Sequence, residues 1–248
     1  MEKMITFFFT KKISTAQVYF FTAIAAFCSI IYELLLAQCL AATLGGTFLR
    51  YSITIGLYLF SLGLGSLFVF WYSRFLTLGL LFYVELVLSV LGLLAPFWIL
   101  FGDFIFSSFF AIEEKTNVSN IVQYCFLFYM HFMTIAIGFL SGIELPLLME
   151  FGNRLENKSI AMNVLAIDFI FTCAGSVFFP LFIYAYFGLI QGAVITSTLN
   201  LFLAFCILRS LSFNFMALLI CSSLACIQII LLIFSESIRD AISLFIFS

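Results

Sequence analysis

Polar breaks are few along this chain, and the apolar runs between them are long. A helix needs about 20 apolar residues to cross a bilayer. The pattern predicts seven such helices, over 17–43, 51–73, 76–101, 121–146, 159–186, 189–209 and 212–234. The first run follows Lys3, Lys11 and Lys12, as the core of a signal peptide would. It is too long for one and lacks a small-residue cleavage site, so it is expected to stay in the mature protein. Residues 102–120, with Asp103, Glu113, Glu114 and Lys115, are expected to form a polar loop, part of it a short re-entrant or interfacial piece. The predicted organisation is an N-terminal segment 1–16, one transmembrane helical domain 17–234, and a tail 235–248 too short to span. No linker and no short-period repeat divides the chain.

Composition turns this pattern into a class. Of 248 residues, 65% are hydrophobic and 9% charged, with a mean hydropathy of +1.26. A soluble domain carries about 25% charged residues, so this chain has too few to cover a water-facing surface. The expected fold is all-α, a polytopic transmembrane bundle of about seven spans with the lipid bilayer as its partner. Basic residues set orientation. With the N-terminus cytoplasmic, Lys3, Lys11, Lys12, Arg74, Arg154, Lys158 and Arg209 lie inside, and Arg50, Lys115 and Arg239 outside. That bias predicts a cytoplasmic N-terminus and, with seven spans, an external C-terminus. The net charge of −2 argues against a nucleic-acid partner. The seven cysteines fall in apolar segments without a CxxC pair, which reads as small buried hydrophobes rather than disulfides or metal ligands.

Four carboxylates interrupt the apolar segments: Glu33, Glu85, Glu144 and Asp168. An acid at mid-helix costs about 2.5–3.5 kcal/mol to insert, and such residues usually face a bundle interior or a wet cavity. The predicted starts put Glu85 and Asp168 near the midplane, Glu144 nearer the cytoplasmic end and Glu33 in the outer half. At most three of them can meet, and a spread along a path is as natural as a cluster. Lys and Arg are nearly absent from the spans, so ion pairs within the chain cannot neutralise all four. The acids are then neutral, or hydrogen-bonded to Tyr32, Gln38, Tyr83, Gln123, His131 or Asn163, or matched by a cation from outside. Neutral acids tying helices together are the structural alternative to a cation or proton site.

In "SGIELPLLME" (141–150), Pro146 sits two residues after Glu144. Proline lacks an N–H and disfavours helix in the residue before it. A kink or helix end is expected near Leu145, with freed carbonyls beside the acid. Pro96 and Pro180 are expected to kink their helices. Gly56, Gly63, Gly65, the Gly138/Gly142 GxxxG pair and Gly175 read as close helix–helix packing, with a substrate path lined by glycine backbone as the alternative. His131, the single histidine, reads as a hydrogen-bonded structural residue.

Four stretches carry a resemblance: 32–66, beginning YELLLAQ; 83–100, beginning YVELVL; 138–150, GFLSGIELPLLME; and 166–200, beginning AIDFIF. In motif order and in the placement of Tyr32-Glu33, Glu85, Glu144-Leu145-Pro146 and Asp168, the chain resembles the membrane domain of membrane-bound spermidine synthases, the polyamine aminopropyltransferases. The resemblance covers roughly residues 17–205. It implies an N-terminal multi-pass bundle that in the family precedes a soluble catalytic domain. Aminopropyl transfer needs a Gly-rich nucleotide-binding turn and an acid that deprotonates the attacking amine; no such turn occurs among these residues, and no catalytic residue carries over. The expectation is therefore that the chain alone is not an enzyme and uses no metal or other cofactor. It is expected in a bacterial inner membrane, binding or moving a small cation, a polyamine by resemblance, through Tyr32, Glu33, Glu85, Glu144 and Asp168. The alternative is a non-transporting anchor or subunit that recruits a separately encoded synthase domain or joins a membrane complex.

Overall fold

The structure, a computed structural model, describes residues 13–72, 77–113, 120–155, 158–211 and 215–247. The described residues are helical apart from short connections: α1 Thr15–Leu44, α2 Thr47–Trp71, α3 Leu78–Glu113, α4 Asn120–Arg154, α5 Lys158–Phe178, a π-helical segment Phe179–Phe187, α6 Gly188–Ser210 and α7 Phe215–Phe247. A capping box starts α1: the Gln17 N–H donates to Ser14 Oγ at 3.3 Å and the Ser14 N–H to Gln17 Oε1 at 2.9 Å. The helix ends at Gly45 and Gly46, whose φ values of +67° and +62° favour glycine, and α2 begins at the next residue.

The contacts fix the helix directions. Tyr19 meets Asn163 and Ile30 meets Gly175, so α1 and α5 run parallel. Tyr58 meets Gly138 and Leu62 meets Gly142, so α2 and α4 run parallel. Trp98 meets Tyr129 while Phe106 meets Phe126, so α3 and α4 are antiparallel. Gln17 Nε2 donates to Ser210 Oγ at 3.1 Å, which brings the start of α1 to the end of α6. Leu36, Leu88, Met130, Ile137, Leu147 and Ile207 are among the fully buried side chains of the main core. Large apolar side chains also cover the outside, Phe48 at 85% exposed and Phe70 at 77% among them.

The glycine reading holds at the α2–α4 crossing. A Cβ on Gly65 would meet the Phe139 carbonyl oxygen, and one on Gly142 the Leu62 carbonyl oxygen. Small residues let helix backbones approach this closely. Gly56 and Gly63 have nothing nearby and face outward.

Several expectations are corrected. Among the described residues six helical stretches are long and apolar enough to cross a membrane, not seven, because residues 160–210 form one 51-residue stretch; it doubles back on itself, so that Asn163 meets Tyr19 and Ser210 meets Gln17 at the start of α1. That stretch is bent at Gly188, where φ is +71°. Ile183 and Gly192 would lie about 13 Å apart along a straight helix, yet an Ile183 methyl sits 2.8 Å from where a Gly192 Cβ would be. The expected loop at 102–120 is helical through Glu113, and the expected tail continues α7 through Phe247. Cys28, Cys39 and Cys221 are buried, but Cys125, Cys173 and Cys226 face outward; all seven are free thiols. Lys3, Lys11, Lys12, Arg74, Glu114 and Lys115 lie outside the described residues.

Pro146 neither ends α4 nor leaves an open carbonyl beside Glu144. The helix runs on to Arg154 with Pro146 inside it. The carbonyl that loses its i+4 donor to proline is that of Gly142. Ser66 Oγ, reaching across from α2, donates to it at 2.9 Å. Pro96 likewise lies inside α3, and Pro180 opens the π-helical segment.

Candidate functional site

Three of the four acids line one cavity of about 250 Å³: Glu33 from α1, Glu144 from α4 and Asp168 from α5, with Leu59 and Leu62 of α2 on the remaining wall. Drug-sized ligand pockets run from about 300 Å³ upward, so this one suits a smaller or thinner occupant. Its polar lining is completed by Ser29, Ser141 and Thr172, and among the described residues no Lys, Arg or His lines it.

Helix register gives the spacing of the acids. Tyr19 pairs with Asn163 and Ile30 with Gly175, offsets of 144 and 145 residues. Asp168 therefore stands level with about Ile24 on α1, nine residues before Glu33 and about 13 Å below it along the axis. Ser29 and Ser141 are level, because both hydroxyls reach Tyr58. Glu144 follows Ser141 by three residues, so it lies between the other two acids. Asp168 and Glu144 are each ten residues from a helix end, Lys158 and Arg154, which puts both about 15 Å in. Glu144 thus stands deeper than its position beside Pro146 suggests, because α4 continues past the proline. Glu33 and Glu144 are buried at 8% and 4% exposure, and Asp168 is half-buried.

Glu85 and Tyr32 do not line this cavity. Glu85, on α3, is fully buried, and the antiparallel register that pairs Trp98 with Tyr129 and Phe106 with Phe126 sets it opposite Glu144 on α4, acid beside acid. As carboxylates the pair offers only acceptors, and neither Glu85 oxygen finds a donor among the described residues. Tyr32 is fully buried; its ring packs on Gly92 and its hydroxyl donates at 3.5 Å to the Leu88 carbonyl.

The polar neighbours expected to serve the acids are engaged elsewhere. Gln38 donates to the Tyr184 hydroxyl at 3.1 Å, and Asn163 to the Tyr19 hydroxyl at 2.9 Å. Tyr83 and Gln123 are exposed. His131 is buried, and its Nδ1 has no hydrogen-bond partner among the described residues.

Sequence reasoning missed Tyr58. Its hydroxyl donates to the Ser29 carbonyl at 3.0 Å and lies 3.0 Å from Ser29 Oγ and 3.2 Å from Ser141 Oγ, tying three helices together over the cavity. The available signal was spacing. Ser29 precedes Glu33 by four residues and Ser141 precedes Glu144 by three, which places each serine on the same helix face as its acid. A second buried polar group was also missed: Gln228 Nε2 donates to Ser89 Oγ at 2.8 Å and to Ser197 Oγ at 3.3 Å. Among the described residues, no group of three or more His, Cys, Asp or Glu is placed to hold a metal ion.

A polyamine aminopropyltransferase of Leptospira interrogans is 30% identical over 184 residues, 73% of this chain and 33% of that protein. The chain is related to the polyamine aminopropyltransferases. One from Oceanobacillus iheyensis is 29% identical over 194 residues, 77% of this chain and 35% of its own length. Polyamine aminopropyltransferase 2 of Ralstonia nicotianae is 30% identical over 172 residues, 68% of this chain and 30% of its own length. The chain spans about a third of the length of these curated relatives. No family profile matches it, and no solved structure matches it. The expectation that the chain is not an enzyme is overturned: the relatives are named as enzymes, and a match to a third of their length does not separate this chain from enzymatic function.

Proposed function

We propose that this chain is a membrane-embedded helical domain that binds a linear polyamine in the cavity lined by Glu33, Glu144 and Asp168. The observation that carries the reading is three carboxyl groups, strung over about 13 Å, around one cavity with no basic residue in its lining. An unpaired buried charge is costly; a cation supplied from outside removes that cost. A polyvalent, extended cation matches the spacing better than a compact ion. An extended polypeptide advances about 3.3–3.6 Å per three backbone bonds. By that measure the nine bonds between the terminal nitrogens of spermidine span about 11 Å. The relatives' name, polyamine aminopropyltransferase, points to the same chemical class. The bilayer setting rests on the six apolar stretches and on the large apolar side chains facing outward.

Binding to the folded state raises its stability by mass action, by about 2.7 kcal/mol at one hundred times Kd. Spermidine is expected to raise the thermal stability of the purified protein, and Glu144→Gln or Asp168→Asn to abolish that increase. Equal stabilisation of both variants and the wild type would count decisively against the site. Movement of the cation across the bilayer is tested separately, by spermidine uptake into proteoliposomes.

A second reading is supported by the match to only a third of the relatives' length: a membrane anchor that holds or recruits the remaining aminopropyltransferase portion. A stoichiometric partner in a native pull-down, with no cation bound by the purified chain, favours this reading over the first.

A further inference from the structure

Glu85 has no place in a simple cation site. It does not line the cavity, so a cation that reaches Glu144 does not reach Glu85. It is nonetheless fully buried, and it faces Glu144 with both oxygens lacking a donor among the described residues. Two carboxyl groups in contact cannot both ionise; such a pair shares one proton. The surroundings supply no other compensation. Cys28 and Tyr32 of α1 lie near both acids, Tyr58 of α2 and Asp168 of α5 near Glu144, and Glu33 lines the same cavity as Glu144; every one is neutral or acidic. α6, packed against α3, carries its ionisable Cys206 and Arg209 in its last turn.

We propose that Glu85 and Glu144 hold one proton between them while the cavity is empty, and that a cation arriving beside Glu144 displaces it. This rests on the cavity being a cation site. In the exchange the carboxyl O–H bond breaks, its electron pair stays on the carboxylate, and the proton leaves to water. The incoming ammonium supplies the positive charge that the proton had supplied. Cation binding and proton release are then one event, with Glu85 as a positioning residue that sets the proton count without touching the cation.

The test is calorimetric titration of the purified wild type with spermidine in buffers of different ionisation heat, which counts protons released per cation bound. The Glu85→Gln variant is titrated in parallel, because its amide donates permanently to Glu144 in place of the proton. The wild type is expected to release at least one proton per spermidine. Glu85→Gln is expected to release about one fewer, and its affinity should rise about tenfold less per pH unit by linkage. In the wild type, the infrared band of a protonated carboxyl group should bleach on spermidine addition. Binding with no proton release and no bleach in the wild type overturns the exchange and leaves the cation site standing. Equal proton release by a folded Glu85→Gln does the same. Absence of binding by the wild type overturns both. If Glu85→Gln fails to fold, the two wild-type measurements decide.

Discussion

Replacing Gly142 with alanine places a methyl group against the Leu62 carbonyl oxygen, closer than real Cβ contacts allow, and the atom it meets is backbone rather than a flexible side chain. α2 and α4 must separate. Overpacking of this kind costs about 1–3 kcal/mol. Separation also stretches the 2.9 Å bond from Ser66 Oγ to the Gly142 carbonyl, and interhelical bonds in membrane proteins average about 0.6 kcal/mol. Alanine gains about 1 kcal/mol over glycine in helix propensity, and that gain is removed by comparison with Gly56→Ala. Gly56 lies in α2 with nothing near its would-be Cβ. The expected gap between the two variants is about 1.5–3.5 kcal/mol, with Gly142→Ala the less stable. Reversible unfolding in mixed micelles reads it directly. Equal stabilities would mean that the α2–α4 crossing, and with it the cavity wall at Leu62 and Gly142, is not as close as described here.

Three further outcomes are expected. Tyr58→Phe removes the hydroxyl that joins Ser29 and Ser141, so it should cost about 1–2 kcal/mol in the same unfolding measurement; a change below about 0.3 kcal/mol would remove Tyr58 from the account. Gly188→Ala meets no neighbouring atom, so its cost is the backbone alone, whose φ of +71° and ψ of −167° fall in a region essentially confined to glycine, about 1–3 kcal/mol. A neutral result there would deny the bend. Spermidine stabilisation should vanish in Glu144→Gln and Asp168→Asn, while the lower proton count belongs to Glu85→Gln, so thermal shift and calorimetry separate the two roles.

The sequence disclosed the helices through their apolar runs and the acids through their isolation in those runs. Ends and bends were less legible. Apolarity marks residues that tolerate lipid, not where a helix stops, so α3 running through Asp103 to Glu113 looked like a loop. Pro146 was a fair signal for a break, but the compensating donor, Ser66, is 80 residues earlier and comes close only through the glycine-lined crossing. Gly188 carries its bend at the boundary that the apolar pattern set between 186 and 189. Depth along single helices placed Glu85 and Asp168 together. The actual partition, with Glu85 behind Glu144 and Asp168 in the cavity, depends on which way each helix is rotated, and four nearly uniform apolar faces give little sign of that.

The most direct measurement of the central claim is equilibrium dialysis of spermidine against the purified wild-type protein. Saturable binding to one site per chain, competed by other linear polyamines and weakened by salt, is the predicted result. No saturable binding at millimolar spermidine, from a protein shown to be folded, contradicts it.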